Sequence, residues 1–305
     1  MQSTDNQGTD NNVQPVEEGF RLIELNDLPQ YSPWPARLMG IEAWENRTRN
    51  EQLVKTEYGQ KWGTLYENYA AQRFQRLREA LEYLFMTHFQ PTILFHLKEK
   101  VYFTKNSVAL WDYFYSILFN VLTPYLTDKD TLVELGCGWG RNLFYALDRK
   151  LCRKAVGGEY TEEGRKLGEL ISRQFELPFE ILPFDYYKPD HVFMRQLRGA
   201  VVFSHNSIEQ ISTMPEETIL SIIENKPKVV IHFEPIFEYR NQDTVLHCLW
   251  KRFTEINDYN RNLLTVLEKL EKKGMLKIIL EDVHAFGLNA FNPGSFIVWQ
   301  PTNGN

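Results

Sequence analysis

Three glycines at alternate positions, directly behind an apolar run, are the feature that most constrains how this chain folds. Gly136, Gly138 and Gly140 stand in "TLVELGCGWGRNLFYAL", ahead of a helical pattern. Glycine adopts left-handed backbone conformations and places no Cβ in the way of a ligand. We therefore expect a strand that turns abruptly into a helix, whose unpaired N–H groups and positive dipole end face a ligand.

Glu134, which precedes this turn, limits the kinds of ligand that the turn could bind. Dinucleotide sites use G-x-G-x-x-G, whereas this stretch has G-x-G-x-G preceded by Glu134. A carboxylate two residues before the first glycine would repel a pyrophosphate, and it suits a ligand that carries a cationic amino group beside its adenosine. A tight strand-to-helix turn with no ligand is the alternative.

From Thr131 onward the chain alternates short apolar runs with helical segments. The runs are residues 132–135, 154–158, 179–184, 200–204 and 229–233. This texture is typical of βαβ units and of a parallel sheet buried on both faces. Two further strands, 275–283 and 295–300, are joined by "HAFGLNAFNPG" and are expected to pair antiparallel at one edge. The predicted fold class is α/β, with a seven-stranded, mostly parallel, doubly wound sheet and an antiparallel C-terminal edge pair.

The N-terminal part lacks this alternation of apolar runs and helical segments. Residues 1–19 are polar, without a basic or an apolar segment of the signal-peptide type, and are expected to be a disordered tail. Residues 20–110 are expected to form a helical N-terminal module that acts as a lid or substrate module, and residues 111–302 the α/β domain. Aromatic residues of "YGQKWG" at 58–63 could close over a substrate, although simple core packing is the competing interpretation.

Charge and cysteine content bear on partners and location. The net charge is −6, and the first 18 residues contain four acidic and no basic residues, so the rest of the chain is close to neutral. A nucleic-acid partner, which needs a basic surface, is not expected. The three cysteines make no metal-binding or disulfide pattern and suit a reducing cytoplasm. The longest apolar stretch, 108–126, is interrupted by polar residues, so a buried helix is expected there and no membrane span.

The segment "VELGCGWG" resembles the first motif, E/D-x-G-x-G-x-G, of class I S-adenosylmethionine-dependent methyltransferases, which have a Rossmann-like fold. The resemblance covers residues 132–299 in motif and in element order. It implies that S-adenosyl-L-methionine is the cofactor. It also implies that Glu134 and the backbone of Gly136, Gly138 and Gly140 hold the methionine part of that cofactor.

The ends of the later strands extend the resemblance. It implies that Glu159 accepts hydrogen bonds from the ribose hydroxyls and that Asp185 binds the adenine amino group. Phe184 would pack on the base, and Ser204 at the end of the fourth strand would complete the cofactor site. For Glu159 and Asp185 taken singly, an ordinary solvated loop acid remains the alternative.

Candidate catalytic residues follow the fourth and fifth strands. His205, Asn206 and Glu234 are predicted to serve as base or to orient an acceptor. For His205 and Asn206 a structural role in the cofactor loop competes equally. His232 is expected to be a hydrogen-bonded core histidine, and His284 a surface loop residue.

The predicted reaction is an in-line methyl transfer to a nitrogen or oxygen acceptor on a small molecule or a peptide side chain. No acidic and amide cluster of the metal-dependent catechol type stands out, so a metal-free transfer is expected. A methyltransferase-fold protein that binds or regulates without catalysis is the alternative. A nucleotide-sugar or NAD-dependent oxidoreductase is disfavoured by the glycine spacing.

Overall fold

The computed structural model describes residues 19–88, 93–241 and 243–302. The predicted disordered tail, 1–19, lies outside the described residues except for Gly19. The ten strands are β1 (Arg21–Ile23), β2 (Ile93–Leu97), β3 (Lys100–Thr104), β4 (Thr131–Leu135), β5 (Lys154–Glu159), β6 (Phe179–Pro183), β7 (Val201–His205), β8 (Val229–Glu234), β9 (Leu276–Gly287) and β10 (Gly294–Pro301).

The α-helices of the described residues surround these strands. They are α1 (Trp34–Leu38), α2 (Glu51–Ala70), α3 (Leu77–His88), α4 (Ser107–Leu122), α5 (Arg141–Asp148), α6 (Glu162–Gln174), α7 (His191–Met194), α8 (Glu216–Glu224), α9 (Val245–Asn257) and α10 (Leu263–Lys272). None of them is long and apolar enough to span a membrane.

All ten strands form one sheet in the order β1-β3-β2-β9-β10-β8-β7-β4-β5-β6. The five predicted apolar runs form β4 to β8, and they pair in parallel. The chain order reverses between β4 and β7, since β5 and β6 lie on one side of β4 and β7 and β8 on the other. In open α/β sheets such a reversal leaves a crevice at the carboxyl ends of the strands, where ligands bind.

The central parallel strands β4, β5, β7 and β8 are mostly apolar because both faces of the sheet are covered there, whereas the edge strand β6 is partly exposed. Leu132 belongs to a core on one face with α4, α5 and α6, whereas Val133 belongs to a core on the other face with α8 and α10. Alternate residues of a strand point to opposite faces. Burial of both faces therefore demands an uninterrupted apolar run.

Two predictions about the sheet are wrong. The C-terminal strands β9 and β10 are antiparallel, as expected, but they do not form an edge, because β2 pairs with β9 beyond them. The N-terminal segment is not purely helical, since β1, β2 and β3 extend the sheet. The hairpin β2–β3 covers backbone groups of β9 that an edge strand would leave unpaired.

The prediction for His284 is also wrong. This residue lies within β9 and is 2% exposed, whereas the sequence predicts a surface loop. Its φ is +51°, and its backbone N–H donates to Ser295 Oγ at 2.9 Å instead of continuing the strand ladder. This irregularity in β9 turns the imidazole inward.

Candidate cofactor and active site

The glycine turn joins β4 to α5, as predicted. Gly136 and Gly138 have φ values of +70° and +60°. A Cβ on Gly136 would lie 2.4 Å from Ser207 Cβ, and a Cβ on Gly138 would lie 3.0 Å from Trp62 Cζ2. Both the backbone conformation and the close approach of neighbouring side chains therefore require glycine.

A cavity of about 340 Å³ lies beside this turn, between the carboxyl ends of the parallel strands and one face of α2. Eight of the predicted site residues line it: Glu134, Gly136, Gly138, Glu159, Phe184, Asp185, His205 and Asn206. The other three, Gly140, Ser204 and Glu234, are not among its lining residues. The volume is in the range of small-molecule and cofactor sites.

Glu134 is the most unusual group in the cavity wall. It is 1% exposed, and its Oε1 accepts a 2.6 Å hydrogen bond from Asn142 Nδ2. Its Oε2 is buried with no hydrogen-bond partner among the described residues. Burial raises the pKa of Glu134 to about 8. A buried acceptor of this kind is costly unless a ligand supplies the donor.

Glu159, at the end of β5, ties the glycine turn to the start of α6. Its Oε2 accepts from Gly138 N at 2.9 Å, and its Oε1 accepts from Thr161 N and Thr161 Oγ1 at 2.9 and 2.5 Å. Burial raises the pKa of Glu159, while its hydrogen bonds to Thr161 and Gly138 act against that rise. The carboxylate is thus held in one orientation at the cavity wall.

Phe184 and Asp185 follow β6. Phe184 is buried, with ring centroids 4.8 Å from those of Tyr186 and Phe193. Asp185 is half-buried, and its Oδ1 accepts from Tyr187 N at 2.8 Å, which fixes the turn. One apolar ring and one carboxylate therefore stand side by side at this end of the cavity.

His205 and Asn206 lie at the end of β7. The His205 ring packs between Phe114 and Phe233, at centroid distances of 4.9 and 5.2 Å. Burial, with a contribution from Arg141, lowers the pKa of His205 to about 3. At that pKa the imidazole is neutral near physiological pH. Asn206 is exposed in a left-handed conformation, with φ +49°.

Glu234 lies beneath the loop that follows β7. Its Oε1 accepts from Ser207 N and Ile208 N at 3.1 and 3.2 Å. It is 1% exposed, and burial raises its pKa to about 8. It does not line the cavity, and its contacts hold the backbone of Ser207, whose side chain lies against Gly136.

Ser204 and Gly140 pack against other side chains of the fold and do not line the cavity. Trp299 Nε1 donates to His232 Nε2 at 3.0 Å, so His232 Nδ1 carries the proton and donates to Ser204 Oγ at 3.0 Å. All three side chains are fully buried. His232 is the hydrogen-bonded core histidine that the sequence predicts. A Cβ on Gly140 would lie 2.6 Å from the Phe179 ring, so this glycine allows helix packing.

The sequence does not single out a lysine that the structure brings to the cavity. Tyr58, Lys61 and Trp62 lie on one face of α2 and line the wall opposite the parallel strands. Lys61 Nζ is 4.9 Å from the Trp62 ring and 5.3 Å from the Tyr58 ring. Burial, together with the charge of Arg141, lowers the pKa of Lys61 to about 8. In the sequence, the three- and four-residue spacing of these positions indicates that they share one face of a helix.

No family model and no curated protein sequence matches the chain. Among solved structures, geranyl diphosphate C-methyltransferase from Streptomyces coelicolor A3(2) is similar at 13% identity and TM-score 0.43, over 63% of this chain and 79% of that one. The CcbJ methyltransferase from Streptomyces caelestis is similar at 12% identity and TM-score 0.43, over 62% and 88%.

A third solved structure, an S-adenosylmethionine-dependent methyltransferase from Clostridium acetobutylicum ATCC 824, shows 11% identity and TM-score 0.42, over 62% and 90% of the two chains. The glycine motif lies at the end of the central strand β4, where the chain order of the parallel strands reverses. This strand order, with the glycine turn at the reversal, is that of a doubly wound α/β fold of the Rossmann-like type.

Proposed function

We propose that the cavity binds S-adenosyl-L-methionine and that the protein transfers its methyl group to a nitrogen or oxygen acceptor. The acceptor would belong to a small molecule or to a peptide side chain. The observation that carries this proposal is the buried Oε2 of Glu134, which has no donor among the described residues. An ammonium group of the cofactor's methionine part would supply that donor and the compensating charge.

The rest of the cavity wall fits the adenosyl part of the same cofactor. Glu159 offers a buried carboxylate for the ribose hydroxyls, and Thr161 Oγ1 beside it holds that carboxylate in place. Phe184 offers an apolar ring, and Asp185 offers an acceptor for the adenine amino group. These residues occur in the order along the sheet that the sequence resemblance implies.

When bound, the sulfonium supplies an electrophilic methyl group, and the chain's residues orient the acceptor, exclude water and take up its proton. Lys61 is the residue best suited to be the base, since its pKa of about 8 leaves part of it as the neutral amine near physiological pH. His205 stays neutral and can accept a hydrogen bond from the acceptor, but it is too weak a base to retain a proton. Asn206, exposed at the cavity, can orient the acceptor by its amide.

We assign Glu234 and Ser204 to positioning. Glu234 holds the backbone of Ser207 and Ile208 beside the glycine turn. Ser204 accepts from the buried His232 and joins β7 to β8. Gly140 allows the first turn of α5 to pack on Phe179. All three would therefore shape the site without touching the reacting atoms.

The experiment that tests this function combines binding with turnover. Isothermal titration with S-adenosyl-L-methionine should show one site per chain. Incubation with labelled cofactor and a panel of amine, hydroxyl and peptide acceptors should release S-adenosylhomocysteine and give a methylated product. Cofactor binding without turnover on any acceptor would favour the binding or regulatory alternative. No binding at millimolar cofactor would end the methyltransferase proposal.

A further inference from the structure

A second cluster of chemically versatile side chains lies outside the residues that line the cavity. It brings together Glu99, from the turn between β2 and β3, His247, from the first turn of α9, and His284, from the irregular part of β9. The ligand atoms that the three residues offer lie within 4.8 Å of one another. The two imidazoles are buried, whereas Glu99 faces solvent.

The distances in this cluster do not fit a closed hydrogen-bond network. Glu99 Oε1 is 3.6 Å from His247 Nε2 and 3.4 Å from His284 Nδ1. Charge-assisted hydrogen bonds between nitrogen and a carboxylate are about 2.7–2.9 Å long. One carboxylate oxygen is therefore shared between two imidazole nitrogens at distances too long for strong hydrogen bonds.

The same distances fit ligands that share one metal ion. Two ligand atoms, each about 2.1 Å from a tetrahedral zinc ion, are about 3.4 Å apart. The two measured separations are 3.4 and 3.6 Å. The two imidazole nitrogens lie within the 4.8 Å that bounds the whole cluster.

The surroundings of His247 select the ring nitrogen that a metal needs. His247 Nδ1 is hydrogen-bonded to Asn241 Oδ1, an acceptor, so Nδ1 carries the proton and the lone pair lies on Nε2. Metal-binding histidines are usually oriented by such a second hydrogen bond. Glu99 and His284 both have left-handed backbone conformations, with φ values of +59° and +51°, and their ligand atoms lie within 4.8 Å of that of His247 on α9.

The groups next to the cluster are held by other partners. Arg240 is buried, and it donates to Trp250 O and to Asn292 Oδ1, both at 2.8 Å. Lys98, beside Glu99 in the hairpin turn, lies 3.7 Å from Asp282. His96 Nε2 accepts from the backbone N–H of Glu99 at 2.9 Å, which anchors the turn. The Glu99 carboxylate therefore faces the two imidazoles from a fixed backbone.

We propose that Glu99, His247 and His284 bind a divalent transition-metal ion of the zinc class. Two imidazoles and one carboxylate are a donor set that zinc accepts, with a fourth position for water. The ion would clamp the hairpin β2–β3 onto α9 and β9, and so fix the part of the sheet that the N-terminal segment adds. This site is separate from the proposed methyl transfer, and either proposal can fail without the other.

The test uses the full chain after dialysis against a chelator. Titration with Zn²⁺ alone should show one ion per chain, and Co²⁺ should give the visible absorption of a tetrahedral site. The metal should raise the melting temperature of the wild type. His247→Ala and Glu99→Gln should each weaken Zn²⁺ binding at least about tenfold.

His191→Ala removes an exposed histidine on α7 and serves as the matched control, which should bind Zn²⁺ like the wild type. Glu99→Gln changes a solvent-facing side chain and should fold even if His247→Ala does not. Absence of binding at millimolar Zn²⁺, or equal binding by the wild type and Glu99→Gln, would overturn the proposal.

Discussion

Asn142 donates a 2.6 Å hydrogen bond to one carboxylate oxygen of Glu134, whose other oxygen is buried with no donor among the described residues. The two residues flank the glycine turn, Glu134 in β4 and Asn142 at the start of α5. The strand–turn–helix unit therefore orients the carboxylate at the wall of the cavity that we propose to bind the cofactor.

The substitution Glu134→Gln tests the role of this charge. The introduced amide would keep its oxygen toward Asn142 and turn its NH₂ group toward the ligand, where it repels an ammonium. We expect about 10- to 100-fold weaker binding of S-adenosyl-L-methionine, since a hydrogen bond to a charged group contributes about 1.5–3 kcal/mol. Isothermal titration measures this. Glu224→Gln, at an exposed acid at the end of α8, is the matched control. Equal affinity of both variants would contradict the assignment.

Cofactor binding should be coupled to proton release. The pKa of Glu134 is raised to about 8 by burial, so the free protein holds a proton there below that pH. An ammonium at Oε2 favours the ionised form and lowers this pKa, so the complex releases the proton. Titrations near pH 7 in buffers of different ionisation enthalpy should show the release in the wild type and not in Glu134→Gln. Buffer-independent heats for the wild type would be the opposite result.

Gly138→Val should abolish cofactor binding and leave a folded chain. The branched side chain would enter the space of the Trp62 ring and of the ligand beside it. Gly274→Val is the matched control, because Gly274 has a similar φ of +71° but open space around a Cβ. Both variants carry the strain of a left-handed residue, about 1–2 kcal/mol. Only the first should lose affinity, and retained affinity there would refute the placement of the ligand.

Lys61→Met tests the proposed base. Wild-type turnover should rise with pH through about 8 as the Lys61 ammonium loses its proton, then level off. The variant should lose that dependence and at least about 100-fold in kcat, with little change in cofactor affinity. Lys55→Met, on an exposed position of α2, should behave as the wild type. A pH profile that Lys61→Met leaves unchanged would remove Lys61 from the chemistry.

Glu234→Ala tests positioning against catalysis. Removal of the Glu234 carboxylate leaves the N–H groups of Ser207 and Ile208 without their acceptor. Each unsatisfied group lowers the free energy of unfolding by about 1–3 kcal/mol. We expect lower unfolding free energy in urea and weaker cofactor binding. Glu234→Gln keeps an acceptor oxygen and should be much less affected. Normal stability and binding with lost turnover in Glu234→Gln would restore the catalytic role predicted from the sequence.

The central parallel strands β4, β5, β7 and β8 could be predicted because they are buried on both faces, which requires apolar runs. The hairpin β2–β3 could not, since its strands are five residues each and carry polar residues such as His96 and Lys100. The wrong prediction that β9 lies at the sheet edge followed from missing this hairpin. Nothing in the local sequence of β9 shows that another strand pairs with it.

The candidate site likewise contains some residues that the sequence predicts and others that it does not. Glu134, Glu159 and the glycine turn follow strand ends, where sequence position decides spatial position. Lys61 reaches the cavity through the packing of α2 on α6, a long-range contact that the local sequence pattern does not encode. The sequence predicts His205 as a site residue but does not predict its lowered pKa. That pKa depends on burial beside Phe114 and Phe233, which tertiary packing brings about.

A crystal structure of the complex with S-adenosylhomocysteine tests the proposed cofactor site most directly. We predict the ligand's amino group within about 2.7–3.2 Å of Glu134 Oε2, and its ribose hydroxyls at the Glu159 carboxylate. An unoccupied cavity in crystals grown with saturating ligand, or a ligand whose amino group points away from Glu134, would contradict this placement.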